Sequence, residues 1–156
     1  MQVGQVEGIY LAANEGAELL PVEEVAAVAG KGLEGDRYFT GDGTFYSERK
    51  VGQDVTLIEA EAIEALAREE AIELSPGQPR RNVVTRGMAL NDLLGKRFVV
   101  GEALCIGRRL CDPCSHLEQL TQPGVLKGLV NRGGLRADIL KGGSIAVGSE
   151  VRELPD

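Results

Sequence analysis

Twenty-one glycines interrupt this 156-residue chain so often that few apolar runs between them are long. Glycine supplies the backbone conformations that tight turns need, and in a helix or strand interior it costs order. Such a sequence fits many short strands joined by close turns better than a bundle of long helices. Aromatic residues contribute only 4% and tryptophan is missing, so the core must be built from aliphatic side chains. Hydrophobic residues reach 43% and are spread along the chain, which excludes disordered and fibrous classes. At this length one domain spanning residues 1–156 is the expectation, with a core large enough to need no disulfide staples.

Apolar spacing places strands at residues 3–12, 21–28, 53–58, 81–85, 96–106, 136–140 and 144–154. The segment 59–71 puts Ile63, Leu66, Ala67 and Ala71 on one side at helical spacing and predicts a helix. Shorter helices are expected at 89–94, closed by Gly95, and at 123–130, opened by Pro123. Residues 30–37 are expected to form a shaped glycine loop, and residues 38–52 an exposed polar loop or an irregular hairpin. Without a regular alternation of strands and helices, the expected fold is mainly β with some α, an α+β chain. Its architecture would be a β-barrel or strongly bent sheet decorated by a few helices.

Acidic residues outnumber basic ones 24 to 17, and the net charge of −7 gives no attraction to nucleic acid or anionic membrane. No apolar run approaches a membrane span and no signal peptide opens the chain, so a cytoplasmic protein is expected. Three cysteines, an odd number, crowd between Cys105 and Cys114 and do not form a secreted disulfide framework.

Cys111-Asp112-Pro113-Cys114 follows the strand at 96–106, and Pro113 puts the cysteines on a turn. The C-x-x-C spacing admits a redox dithiol, but no convincing helix follows it to lower a thiol pKa. Cys105, Cys111, Cys114 and His116 offer zinc ligands, yet Cys105 sits within an apolar strand and a second knuckle is missing. The third reading is one thiolate on a metal, with other residues holding an anionic organic cofactor. Arg80-Arg81-Asn82 and Thr85-Arg86-Gly87 bring three cations and two neutral hydrogen-bonding side chains into one short segment of an acidic protein. Guanidinium groups grip oxyanions bidentately. The loop holding Gly35, Asp36 and Arg37 can present backbone N–H groups to an anion. His116 is placed to shuttle protons near Cys114. Each segment also has a plain structural reading as solvated turn, hairpin connection or surface side chain.

The order of these segments resembles the MOSC domain, the C-terminal domain of molybdenum cofactor sulfurases. The blocks are Gly32-Leu33-Glu34-Gly35-Asp36-Arg37, then Gln53-Asp54-Val55-Thr56-Leu57-Ile58, then Pro79-Arg80-Arg81-Asn82-Val83-Val84-Thr85-Arg86-Gly87, then residues 90–101, then Arg109-Leu110-Cys111-Asp112-Pro113-Cys114. The resemblance implies a β-barrel that holds the pterin molybdenum cofactor, with Cys114 at the position of the metal-bound cysteine. Arg80 and Asn82 match cofactor-contacting residues, Asp112 takes the place of a small polar residue near the metal, and Arg81 and Thr85 are their neighbours. Cys111 carries less weight than Cys114.

The sequence shows neither the N-terminal barrel domain of mitochondrial amidoxime-reducing relatives nor the desulfurase domain of the sulfurases, so the resemblance is to a stand-alone member. Part of the usual pocket would be open, supplied by residues 30–47, or contributed by another subunit. The activity implied is reduction of small N-hydroxylated substrates with electrons from a separate protein, since no flavin, haem or iron–sulfur motif is visible. The alternative is a carrier, of persulfide on Cys114 or of the cofactor itself.

Overall fold

The computed structural model describes residues 2–13, 18–36, 39, 52–74, 77–111, 121, 124–129 and 132–155, the side chains of residues 126 and 127 excepted. Among the described residues there are eleven strands: β1 Val3–Leu11, β2 Leu20–Val22, β3 Glu24–Val28, β4 Gly32–Leu33, β5 Val55–Glu59, β6 Val83–Arg86, β7 Arg97–Val100, β8 Ala103–Leu110, β9 Leu135–Lys141, β10 Gly143–Ala146 and β11 Glu150–Glu153. Helix α1 is Ala60–Glu70, α2 is a single turn at Val125–Gly128, and Leu90–Leu93 forms a 3₁₀ turn.

Seven strands pair in the order β11-β7-β8-β9-β5-β6-β1, and β1 then pairs with β11 through Val3 and Arg152. The barrel is therefore closed, a tighter result than the bent sheet that the strand pattern also allowed. Strand β2 extends it from β1, while β10, β3 and β4 form a separate three-stranded sheet. The fold is mostly β, and α1 is the one long helix among the described residues, so α+β is a loose description.

Strands β5 and β6 are parallel, with Leu57 opposite Val83, and α1 makes the crossover between them. Both strands are buried on both faces, and their alternation separates two cores. Val55, Leu57 and Val83 point into the barrel with Ile9, Phe98, Leu135 and Val151, whereas Ile58 and Val84 face outward under Ile63 and Leu66 of α1 and Val125 of α2. That double burial explains why β5 carries apolar side chains on both of its faces, Val55 and Leu57 on one and Ile58 on the other.

Three expected strands are each divided. Residues 96–106 form the β7–β8 hairpin, because Gly101 turns at φ 59° where an added Cβ would stand 2.7 Å from the Ser144 carbonyl oxygen. Residues 144–154 turn at Gly148, φ 92°, between β10 and β11, and residues 21–28 are shared between β2 and β3 in different sheets. The glycine loop at 30–37 contains β4, which pairs with β3.

Candidate functional site

The stretch before β6 is a turn, in which the Arg80 N–H donates to the Gly77 carbonyl at 3.1 Å. Arg80 itself adopts the left-handed conformation at φ 63°, which costs a non-glycine residue about 1–2 kcal/mol. Its guanidinium Nη2 is buried. Arg81 is 8% exposed, and its Nε donates to the Gly133 carbonyl at 2.8 Å while Nη1 donates to the Pro79 carbonyl at 3.3 Å.

Asn82 is buried and spends its amide on the barrel wall. Its Oδ1 accepts from the Thr56 N–H at 3.2 Å and the Thr56 hydroxyl at 3.1 Å, and its Nδ2 donates to the Tyr10 carbonyl at 3.1 Å. The Asn82 N–H donates in turn to Thr56 Oγ1 at 3.0 Å. Thr85 is fully buried, and its hydroxyl faces the Ile58 carbonyl at 3.5 Å.

Cys111 directly follows the end of β8. Cys111 is 1% exposed, and its N–H donates to the Gly134 carbonyl at 2.7 Å. Gly134 has φ 113° and lies so close to β5 that an added Cβ would stand 2.1 Å from the Leu57 carbonyl oxygen. Since Arg81 grips Gly133 and Cys111 grips Gly134, one two-residue turn joins the arginine segment to Cys111, the first residue of the cysteine motif. Gly35, at φ 89°, precedes the buried Asp36, whose Oδ1 accepts from the Ala12 N–H at 3.1 Å. Ala12 follows the end of β1, whose Tyr10 N–H donates to the Asn82 carbonyl, so the loop and the arginine segment hold the same strand end.

Arg37, Asp112, Cys114 and His116 lie outside the described residues. Among the described residues, no three His, Cys, Asp or Glu side chains gather as a metal site. Cys105 belongs to the barrel interior, where burial first, then Asp54 and Asp138, push its thiol up to about 12. It is a packing residue, as its place in an apolar strand indicated. Neither Thr56 nor the Gly133-Gly134 turn was assigned a role at the site from the sequence. A threonine among the apolar residues Val55, Leu57 and Ile58 was the only local sign of an internal polar bond.

The residues fit an anionic organic cofactor in one specific way. Arg81, Asn82 and Asp36 hold the frame rigid through backbone groups, and Arg80 stands on that frame with its backbone fixed in a costly conformation, a pattern common where strain serves function.

The MOSC domain family model matches residues 35–152. No curated protein matches the sequence. Among solved structures, the YuaD protein from Bacillus subtilis is similar with a TM-score of 0.79 at 19% identity, covering 97% of each chain. YiiM from Geobacillus stearothermophilus has a TM-score of 0.70 at 20% identity, covering 97% of this chain and 75% of that one. YiiM from Escherichia coli has 0.66 at 17%, covering 97% and 70%. At these identities the structural likeness speaks for the fold alone. MOSC domains are associated, as a family, with binding of the molybdenum cofactor. With 118 consecutive residues matched and the barrel shared, the chain belongs to the MOSC domain family.

Proposed function

We propose that the protein binds the molybdenum cofactor, with the Cys114 thiolate as metal ligand, and reduces small N-hydroxylated compounds. The observation that carries this reading is the tie through Gly133 and Gly134, which joins the arginine segment to Cys111, three residues before Cys114 in the sequence. Along the sequence the Cys114 thiolate follows Cys111 by three residues, so a soft thiolate and a guanidinium-bearing frame are the donor set we assign to an anionic pterin bearing a thiolate-ligated metal.

When bound, the cofactor supplies two-electron redox chemistry at the metal. Arg80 binds the anionic organic part. Arg81, Asn82 and Thr85 act by holding β6 against β1, β5 and the Gly133 turn. Asp36 holds the glycine loop to Ala12, where Gly35 and Arg37 complete the anion-facing backbone. Asp112 and His116 deliver the two protons that, with two electrons from a separate reductase protein, convert a hydroxylamine to an amine and water.

The deciding experiment is elemental analysis of protein from a cofactor-producing host, combined with reduction of a hydroxylamine substrate. Wild type is expected to carry molybdenum and turn over. Cys114→Ala should lose activity, whereas Cys111→Ser should keep most of it, an asymmetry that a dithiol enzyme would not show. Molybdenum-free wild type would end this reading, and a persulfide on Cys114 without metal would replace it with sulfur carriage.

A further inference from the structure

The outer face of β8 and β9 carries a charge arrangement that strand pairing alone disfavours. Arg109 lies directly opposite Arg136 in the β8–β9 register, one position from the inward pair Leu110 and Leu135. Like charges directly opposite one another weaken a sheet. Among the described residues neither guanidinium has a hydrogen-bond or ion-pair partner, in a chain where acidic residues outnumber basic ones 24 to 17. The neighbouring Arg108 is the extra residue of a bulge between Gly107 and Arg109, and its Nε meets Asp138 Oδ2 at 3.0 Å. Asp138 also accepts from the Gly52 N–H at 2.9 Å, so the carboxylate that meets Arg108 is already engaged twice. Among the described residues, three guanidiniums against one carboxylate leave two positive charges on the patch.

The backbone at Gly52 is shaped to this patch. It is buried at φ 79°, and an added Cβ would stand 3.2 Å from the Cβ atoms of both Arg108 and Arg136 and 3.6 Å from Arg109 Cγ. The chain thus lies directly on the three arginine stems, which limits where their forks can go. Two adjacent guanidiniums can each offer paired N–H donors, and a tetrahedral dianion with three free oxygens accepts both forks.

We infer that Arg109 and Arg136, opposed on the outer face of β8 and β9 beside Gly52, form a binding subsite for a phosphate-class dianion. The subsite lies two residues before Cys111, close enough along the chain that the same phosphate chemistry has two sources: the terminal phosphate of a bound pterin cofactor, or a free phosphomonoester. The inference stands without the cofactor, because the bare chain should bind phosphate.

The test is titration of the metal-free full chain with inorganic phosphate at constant ionic strength, followed by calorimetry and by thermal melting. Wild type should bind saturably, with chloride giving no matching response. Arg109→Gln and Arg136→Gln should each weaken binding about tenfold or more, and the double variant should abolish it while still folding. Arg136→Lys should recover only part of the affinity, since a lysine lacks the fork. An unchanged phosphate response in the double variant, or none in wild type, overturns the inference. Protein loaded with molybdenum then separates the sources. If loading removes the phosphate response and the double variant holds less molybdenum, the cofactor's phosphate is the ligand. If the response persists, a free phosphomonoester is. Failure to load molybdenum at all would defeat the proposed function and leave phosphate binding standing.

Discussion

A single buried amide, that of Asn82, links the start of β6 to Thr56 of β5 and Tyr10 of β1. Replacing it with alanine strands the Thr56 N–H and hydroxyl and the Tyr10 carbonyl inside the protein. Leaving buried partners unsatisfied costs about 1–3 kcal/mol for each group, less where water enters. Asn82→Ala should therefore lose about 3 kcal/mol in urea unfolding of the cofactor-free chain, seen as a lower midpoint at unchanged slope. A loss too small to measure would show that the amide serves a ligand and not the wall. The cysteines give a second residue-scale prediction. With Cys105 pushed up to about 12 and both Cys105 and Cys111 buried, neither should react with a thiol reagent at pH 8 until the protein unfolds. Rapid labelling of Cys105 in the native state would contradict its place in the barrel. From the sequence, Asn82 was legible as a hydrogen-bonding residue in an arginine-rich segment. Its partners were not, because they lie on strands 26 and 72 positions away.

At the scale of elements, α1 was the easiest to read, since its apolar spacing is local and needs no partner to be seen. Its N-terminus shows what local reading misses. Glu59 precedes the helix without capping it, and its carboxylate instead accepts from the Leu90 N–H at 3.2 Å, docking the 3₁₀ turn. Next to it Glu61 accepts from the Gly87 N–H at 2.9 Å. Burial raises the Glu59 pKa first of all, the Leu90 N–H opposes that, and the negative charges of Glu61 and Asp92 add to the rise. A carboxyl whose pKa is higher folded than unfolded contributes stability while protonated, at pH below its unfolded value, and that contribution fades as pH rises through the folded value. Glu59→Gln, which keeps an acceptor for Leu90 but removes the charge, should raise the melting temperature at pH 7 and leave it unchanged near pH 3.5. A variant that loses stability equally at both pH values would show that the charge is not the cost. Hairpins were harder than helices. Residues 96–106 carry apolar side chains on both faces, and nothing in their pattern marks Gly101 as a turn until Ser144 crowds against it.

For the whole molecule the decisive contact is β1 with β11, Val3 opposite Arg152, which closes the barrel between residues at the two ends of the described chain. Strand β11 also pairs with β7, and Val151 packs in the main core. Deleting residues 150–156 should open both seams and expose the edges of β1 and β7. The expected product has no cooperative thermal transition and binds a hydrophobic dye, whereas a sharp transition close to that of the full chain would show that closure is dispensable.

The sequence by itself determined the strand-rich class, helix α1, the burial of Cys105 and the resemblance to MOSC domains, because period, turn residues and motif order are local properties of the chain. Only the tertiary structure decided that the sheet closes, that Arg81, Asn82 and Asp36 serve the frame, and that Arg109 faces Arg136 across a strand pair. Those facts depend on which strands become neighbours. Pairing between segments far apart in the chain is set by the packing of the entire barrel, and no local pattern encodes it.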